Sequence, residues 1–217
     1  MTGGAVKILE SGVLELGIAL TPEQVAGFCR FGDELKKWGA KVNLTAIRTD
    51  EDIVVKHFLD SLTLLPLLRD AERLADIGSG GGFPAIPLKI IRPDLHVTAI
   101  DAVEKKLIFQ RHAARLLNLT AFEAIHARGE DLAEKYAGSF DRVVSRAFAD
   151  IPTFVRIALP LLAAGGVIIA MKGKEGESEA GDARPALDEL GLVVTEIVEL
   201  RLPVSGDGRT LVVMKRV

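Results

Sequence analysis

The amino-acid sequence predicts an α/β fold built around a largely parallel sheet. From Arg73 onward, short apolar runs of strand length alternate with segments that have helical spacing, as expected of βαβ units. The first apolar run ends in a loop that carries glycines at positions 78, 80, 81 and 82. The last two apolar runs are separated by too few residues for a helical crossover, so the final strand should be antiparallel to its neighbour.

The composition restricts the class of protein. The chain has 217 residues, of which 48% are hydrophobic, and its formal net charge is −3. The single cysteine, Cys29, excludes an internal disulfide and a cysteine-rich zinc site, and we expect no metal. Aromatic residues are scarce, so a nucleic-acid partner would have to meet a local basic face. The absence of a membrane-spanning run and of a signal-peptide pattern predicts a cytoplasmic protein with no membrane contact, and we expect a monomer.

Residues 1–70 are predicted to form a helical extension that packs on a core of residues 71–217. A short helix should precede Gly17, and a longer one should run from Thr21 to Gly39. Thr21-Pro22-Glu23-Gln24 has the residues of a capping box, with proline in the first turn. No linker rich in proline or serine separates the extension from the core, so the two should form one compact unit.

A further helix is expected over about 52–65. His57 and Asp60 are three residues apart on this helix and could therefore interact. A surface pair is the preferred interpretation, and a catalytic dyad is the alternative.

The core should contain seven strands. They are expected at 73–77, 96–100, 121–126, 142–145, 166–171, 192–200 and 211–215. The helices between them are expected at about 84–91, 103–117, a short one near Glu130, 151–162 and 184–190, with a polar stretch at 173–182.

The glycine-rich loop and an acidic residue define the candidate ligand site. The glycines allow close approach of a ligand to backbone N–H groups at the carboxyl end of the first strand. Asp101 ends the second strand, where a carboxylate can bind both ribose hydroxyls of an adenosine ligand. It could also cap the next helix, with Glu104 as its capping-box partner, and the two roles are compatible. The Gly-x-Gly-x-Gly spacing and the terminal hairpin favour S-adenosylmethionine over a dinucleotide, and no P-loop sequence is present.

Five motifs in order resemble one family over nearly the whole chain. They are Asn43-Leu44-Thr45, His57-x-x-Asp60-Ser61-Leu62, the segment 76–87, Asp101-x-x-x-Lys105-Lys106-x-x-Phe109 and Ser145-Arg146-Ala147. This combination is similar to the bacterial 16S rRNA guanine-N7 methyltransferases, also called the glucose-inhibited division protein B family. The resemblance implies a class I S-adenosylmethionine methyltransferase (Rossmann-like) sheet with strand order 3-2-1-4-5-7-6 and an antiparallel last strand.

The resemblance also implies a function and a set of binding residues. The expected reaction is methyl transfer from S-adenosyl-L-methionine to N7 of a guanine in the decoding-region loop of 16S rRNA. Free rRNA or the small ribosomal subunit would be the partner, and no obligatory general base is needed. Another RNA or a small molecule is the alternative substrate, and a binding module without catalysis is a third hypothesis. The expected cofactor contacts are Gly78, Gly80, Phe83, Asp101, Gly129, Glu130 and Arg146.

Arg146 has a second expected role, because it could orient either the donor carboxylate or guanine O6. A salt bridge at a strand end is its alternative interpretation. A basic set near the cofactor edge is the candidate RNA-binding surface, which would bind phosphate without reading sequence. Its members are Lys105, Lys106, Arg111, Arg115 and Lys172.

Overall fold

The computed structural model describes residues 1–68, 71–127 and 132–217. Nine α-helices lie in this part of the chain. They are α1 (Gly3–Glu15), α2 (Pro22–Gly39), α3 (Asp50–Ile53), α4 (Asp60–Leu62), α5 (Ala85–Ile91), α6 (Glu104–Leu116), α7 (Ala133–Tyr136), α8 (Ile151–Ala158) and α9 (Gly176–Glu189). The strands are β1 (Arg73–Ile77), β2 (His96–Asp101), β3 (Phe122–His126), β4 (Phe140–Arg146), β5 (Leu162–Lys172), β6 (Leu192–Arg201) and β7 (Gly208–Arg216).

The strands form one seven-stranded sheet in the order β3-β2-β1-β4-β5-β7-β6. The first five strands are parallel, and β7 is antiparallel to both β5 and β6. Alternate residues of a strand point to opposite faces. Accordingly, Ile168 packs with α8 and α9, whereas its neighbour Ile169 belongs to the core under α5. The predicted strand order and the antiparallel last strand are confirmed.

The N-terminal helices pack against α5 and α6. Phe31 of α2 is fully buried and contacts the rings of Phe58, Phe83 and Phe109. The predicted start of α2 is confirmed, because the Thr21 side chain accepts from the Gln24 N–H and the Gln24 side chain accepts from the Thr21 N–H. These aromatic contacts bring residues from before and after the glycine-rich loop into one hydrophobic cluster.

The helix expected at 52–65 is not a regular α-helix. It consists of α3, a π-helix over Val54–Leu59 and α4, and a 3₁₀ turn follows at Leu65–Leu68. Single π turns are rare and occur frequently at functional sites. This π segment carries His57, which lies in the candidate site described below.

Other boundaries also differ from the prediction: β5 begins at Leu162 rather than 166, and β7 begins at Gly208 rather than 211. Helix α9 begins at Gly176 rather than near 184, and Glu177 and Glu179 lie in its first turn. Acidic side chains there are stabilised by the positive end of the helix dipole, which explains why a polar segment is helical. Helix α6 begins at Glu104 after Val103, so Asp101 is not its N-cap as suggested.

The short helix expected near Glu130 is represented by α7, which begins at Ala133; Glu130 itself lies outside the described residues. Across residues 1–68, 71–127 and 132–217, no helix combines the length and the apolar character needed to cross a membrane.

Candidate active site

The glycine-rich loop connects β1 to α5 and has an unusual backbone. Gly78, Gly80 and Gly82 have φ values of +73°, +57° and +91°, which side chains rarely tolerate. A Cβ on Gly78 would also overlap the ring of Phe148. The Gly78 and Ser79 N–H groups both donate to the Ile100 carbonyl of β2, at 2.9 and 3.0 Å. The loop is therefore fixed against the neighbouring strand.

Asp101 is held at the end of β2 by two backbone donors. Its Oδ2 accepts from the Gly80 N–H and its Oδ1 accepts from the Val103 N–H, both at 2.8 Å. The side chain is nearly buried, and the Lys106 ammonium lies 3.9 Å from Oδ2. Each carboxylate oxygen has a second lone pair, so the capacity to accept from a ribose hydroxyl remains.

Two adjoining clefts open at the carboxyl edge of the sheet. The first, which we call the Asp101 cleft, has a volume of about 490 Å³. It is lined by Asp101, Ile100, Ala102, Phe148 and Ile157, among others. The second, the Arg146 cleft, has a volume of about 470 Å³ and is lined by Leu44, His57, Asp60, Phe83, Arg146 and Arg209, among others. The clefts share Gly78 and Ala147.

This pair of clefts fits S-adenosylmethionine. One end of that molecule is a nucleoside and the other is a charged amino acid, so it needs an acid beside an apolar space and a polar space next to it. The Asp101 cleft provides the acid and apolar walls, and the Arg146 cleft provides polar groups. The positive-φ glycines between them keep side chains out of the passage.

Arg146 lies at the end of β4 and is surrounded by polar partners. Its Nη1 donates to Asp60 Oδ2 and to the Lys56 carbonyl, each at 3.0 Å. Its Nη2 donates to His57 Nδ1 at 3.0 Å. The guanidinium also lies over the Phe83 ring, with its central carbon 5.1 Å from the ring centroid. Arg146 is thus oriented on several sides by residues of the N-terminal helices and the loop.

His57 is neutral, and its tautomer follows from its contacts. Burial and the nearby Arg146 charge lower the pKa of His57 to about 3. Because arginine only donates, Nδ1 must be the unprotonated nitrogen, and Nε2–H then donates to Thr45 Oγ1 at 2.7 Å. The ring stacks on Phe83 with centroids 4.2 Å apart. His57 is therefore a fixed acceptor for Arg146.

The expectation of a surface pair at His57 and Asp60 was wrong. The two residues are only 8% and 4% exposed, because the N-terminal helices pack onto the core at this point. Asp60 also binds Arg209 of β7, whose Nε lies 2.8 Å from Oδ1. Sequence reasoning missed Arg209, for which no motif gave a signal, and it gave Thr45 no role although the Asn-Leu-Thr motif contains it.

Two buried polar residues support the glycine-rich loop from below. Asp76 is fully buried in β1, and its Oδ2 accepts from the Ala85 N–H at 3.1 Å. Burial raises the pKa of Asp76 to about 7. Gln110 of α6 donates from Nε2 to Ser79 Oγ and to the Gly80 carbonyl, both at 2.8 Å. Neither residue was among the expected site residues.

The remaining expected residues are distributed as follows. Gly129 and Glu130 lie outside the described residues. Lys105 and Arg115 are exposed on α6. Arg111 donates to the Ala124 carbonyl and pairs with Glu104 at 2.7 Å. The Lys172 ammonium is already engaged within the protein, because it donates to the Ala149 carbonyl and to Glu179, each at 2.6 Å.

Comparisons with known proteins identify the family. A family profile described as rRNA small subunit methyltransferase G matches residues 24–205. The chain is 59% identical over 217 residues to the ribosomal RNA small subunit methyltransferase G of Geotalea uraniireducens, covering 100% of this chain and 99% of the relative. It is 57% identical over 212 residues to the protein of the same name from Geobacter sulfurreducens, covering 98% of each chain.

A solved structure supports the fold. The SAM-dependent methyltransferase from Aquifex aeolicus superposes with a TM-score of 0.57 at 16% identity, covering 72% of this chain and 90% of that one. The class I methyltransferase fold and the family resemblance are therefore both confirmed. The chain belongs to the rRNA small subunit methyltransferase G family, whose members are enzymes that transfer methyl groups from S-adenosylmethionine to rRNA.

Proposed function

We propose that this enzyme methylates N7 of a guanine in the decoding-region loop of 16S rRNA. When bound, S-adenosylmethionine supplies an electrophilic methyl group. The residues proposed to hold it are Gly78, Gly80, Phe83, Asp101 and Arg146, with Gly129 and Glu130 proposed from the family resemblance alone. Asp101 would bind the ribose in its own cleft, and Arg146 would orient the donor carboxylate or the guanine in the other.

The hydrogen bonds of His57 and Asp60 in the Arg146 cleft are the observation that best supports a ring nitrogen as the methyl acceptor. His57 and Asp60 are the imidazole and the carboxylate that line the described part of this cleft. Each is already hydrogen-bonded to a guanidinium, and the pKa of His57 is about 3. Neither is suited to remove a proton from a substrate. Guanine N7 has a free lone pair and loses no proton, so positioning alone can promote its reaction.

Charged residues around the clefts support an RNA substrate. Lys105 is exposed in the first turn of α6, next to Lys106 of the Asp101 cleft, and we propose it as a phosphate contact. Arg115 is exposed in the last turn of α6 and lines a separate pocket, so as a phosphate contact it would bind RNA away from the clefts. Lys106 can contribute near Asp101, whereas Arg111 and Lys172 are engaged in the contacts given above. Phosphate binding of this kind weakens as salt concentration rises. The choice of guanine would then come from the cleft and from the shape of the rRNA.

Transfer of labelled methyl groups tests this function directly. The protein would be incubated with methyl-labelled S-adenosylmethionine and with either undermethylated 30S subunits or free 16S rRNA. We expect label on guanine N7 in the decoding-region loop, located by chemical cleavage at 7-methylguanosine and primer extension. Label at another atom, another RNA or a small molecule would overturn the proposal, as would donor binding without transfer to either substrate.

A pair of arginine variants serves as the control. Arg146→Ala should reduce transfer by at least about 100-fold, since it removes a charged donor from the cleft. Arg156→Ala removes an exposed arginine of α8 and should leave transfer unchanged. Normal turnover by Arg146→Ala would refute the role of Arg146 while leaving the reaction itself established.

A further inference from the structure

Asp60 occupies a central position between segments that are distant in sequence. Its carboxylate is 4% exposed, and its two oxygens have different partners. Oδ2 accepts from Arg146 at the end of β4, 86 residues away, and Oδ1 accepts from Arg209 at the start of β7, 149 residues away. One side chain of α4 therefore fixes two guanidiniums that both line the Arg146 cleft.

The charges around Asp60 do not cancel. Two guanidiniums share one carboxylate, and His57, the other partner of Arg146, is neutral. The group of Asp60, His57, Arg146 and Arg209 therefore carries a net positive charge toward the cleft. A carboxylate or a phosphate is the complementary ligand for such a group.

Arg209 retains the capacity to bind a ligand. Its Nε donates to Asp60 and its Nη1 donates to the Gly208 carbonyl at 2.9 Å. Within the described residues, its Nη2 has no hydrogen-bond partner, and the side chain is 23% exposed. Arg209 is thus anchored at one edge of its guanidinium and available at the other.

We propose that Asp60 is a positioning residue that holds Arg146 for the methyl donor and Arg209 for the RNA. The assignment of RNA to Arg209 rests on the proposed function. His57 completes the arrangement, because its Nδ1 accepts from the side of Arg146 that Asp60 does not reach. Loss of the carboxylate frees both guanidiniums and so affects donor and RNA binding together, whereas loss of Arg209 affects RNA binding alone.

The His57 ring reports on this arrangement without any reaction. Two-bond ¹⁵N–¹H correlation spectra of the whole protein distinguish a nitrogen that accepts from arginine from one that does not. We expect Asp60→Asn to shift the Nδ1 resonance of His57, assigned with a His57→Gln variant. We also expect the dissociation constant for S-adenosylmethionine, measured by calorimetry, to rise about tenfold, as loss of a charged hydrogen bond predicts.

Kinetics with the RNA substrate separate the two arginines. Arg209→Gln should raise KM for undermethylated 30S subunits about tenfold, with donor affinity and kcat within about twofold of the wild type. Arg216→Gln, at the other end of β7, is the matched control and should leave KM unchanged. Asp60→Glu should restore part of the donor affinity lost in Asp60→Asn, because it keeps the charge.

The outcomes are decisive in both directions. The positioning role of Asp60 would be overturned if a folded Asp60→Asn protein kept the His57 resonance and the donor affinity of the wild type. It would also be overturned if the Arg209→Gln enzyme had a normal KM for 30S subunits. A purely structural role would lower the melting temperature of Asp60→Asn without moving these readouts. If wild-type protein binds the donor but does not methylate rRNA, the proposed function fails, yet the spectra and calorimetry still decide the role of Asp60.

Discussion

Asp76 shows how a single buried carboxyl group couples the site to pH. Its Oδ1 has no hydrogen-bond partner among the described residues, and the side chain is fully buried beneath the glycine-rich loop. Burial therefore favours the neutral acid and raises the pKa from its ordinary value of 3.8 to about 7. The native state resists ionisation of Asp76, whereas the unfolded chain ionises freely.

We expect Asp76→Asn to remove a pH-dependent loss of stability. Well below pH 4 the Asp76 carboxyl is protonated in both the folded and the unfolded state, so its ionisation does not affect the free energy of unfolding. Between pH 4 and 7 the carboxyl ionises in the unfolded state but not in the folded state, so wild-type stability falls as pH rises. The difference in unfolding free energy between variant and wild type should grow in favour of the variant over this range, to on the order of 4 kcal/mol. Urea unfolding at several pH values measures it. A difference that does not change with pH would contradict the assigned pKa.

At the scale of elements, the glycine-rich loop owes its shape to groups outside it. Asp101 of β2 binds the Gly80 N–H, and Gln110 of α6 binds the Gly80 carbonyl and the Ser79 hydroxyl. The ring of Phe148 covers Gly78 from the β4 side. Glycine makes the conformation possible, and these contacts select it. The loop is therefore preorganised for a ligand rather than free to move.

Gln110→Met tests this preorganisation. The change removes two hydrogen bonds that Gln110 donates to the loop, which is destabilising. It also removes the buried Gln110 amide oxygen, which has no hydrogen-bond partner among the described residues, so the two effects oppose each other and the net change in stability should be small. Affinity for S-adenosylmethionine should fall about tenfold, because the loop must be ordered on binding. Gln24→Ala is the control: it removes the capping-box acceptor of the Thr21 N–H and the bonds donated to the Ile90 and Ile91 carbonyls, away from the loop, and should bind the donor normally. Unchanged donor affinity in Gln110→Met would show that the loop holds its shape without this residue.

At the scale of the whole molecule, an aromatic cluster joins the N-terminal helices to the sheet. Phe31 contacts rings from the π segment, the glycine-rich loop and α6, with centroid distances of 5.7, 5.3 and 6.1 Å. The same helices place His57 and Asp60 against Arg146. The packing that stabilises the N-terminal region therefore also builds the Arg146 cleft.

Phe31→Ala should destabilise the protein as one unit. Loss of a fully buried phenylalanine costs about 3–5 kcal/mol through lost burial and the remaining cavity. The single tryptophan, Trp38, reports on the N-terminal helices, and far-ultraviolet circular dichroism reports on the whole fold. Both signals should shift together in denaturant. Leu14→Ala, at a side chain 68% exposed, should have little effect. Separate transitions would mean that the N-terminal helices unfold independently of the core.

The local features of this protein could be predicted from its sequence. The glycine-rich loop, the capping box of α2 and the short connection before β7 each depend on residues within a few positions of one another. Propensity and periodicity act over such distances, and they predicted the alternating strands and helices. The order of the strands in the sheet came from the family resemblance. They failed at α9 and at the π segment, where packing and end charges override the local pattern.

The sheet, the glycine-rich loop and the ribose-binding candidate Asp101 could be predicted from the sequence and its family resemblance. The environment of Arg146 could not, because it is formed by tertiary contacts. Asp60 is 86 residues from Arg146 and 149 from Arg209, and His57 is 89 from Arg146, so no periodic pattern relates these partners. They meet because the N-terminal helices bury their apolar faces on α5 and α6. That burial removes His57 and Asp60 from water, and a buried charge requires a partner, which Arg146 and Arg209 provide.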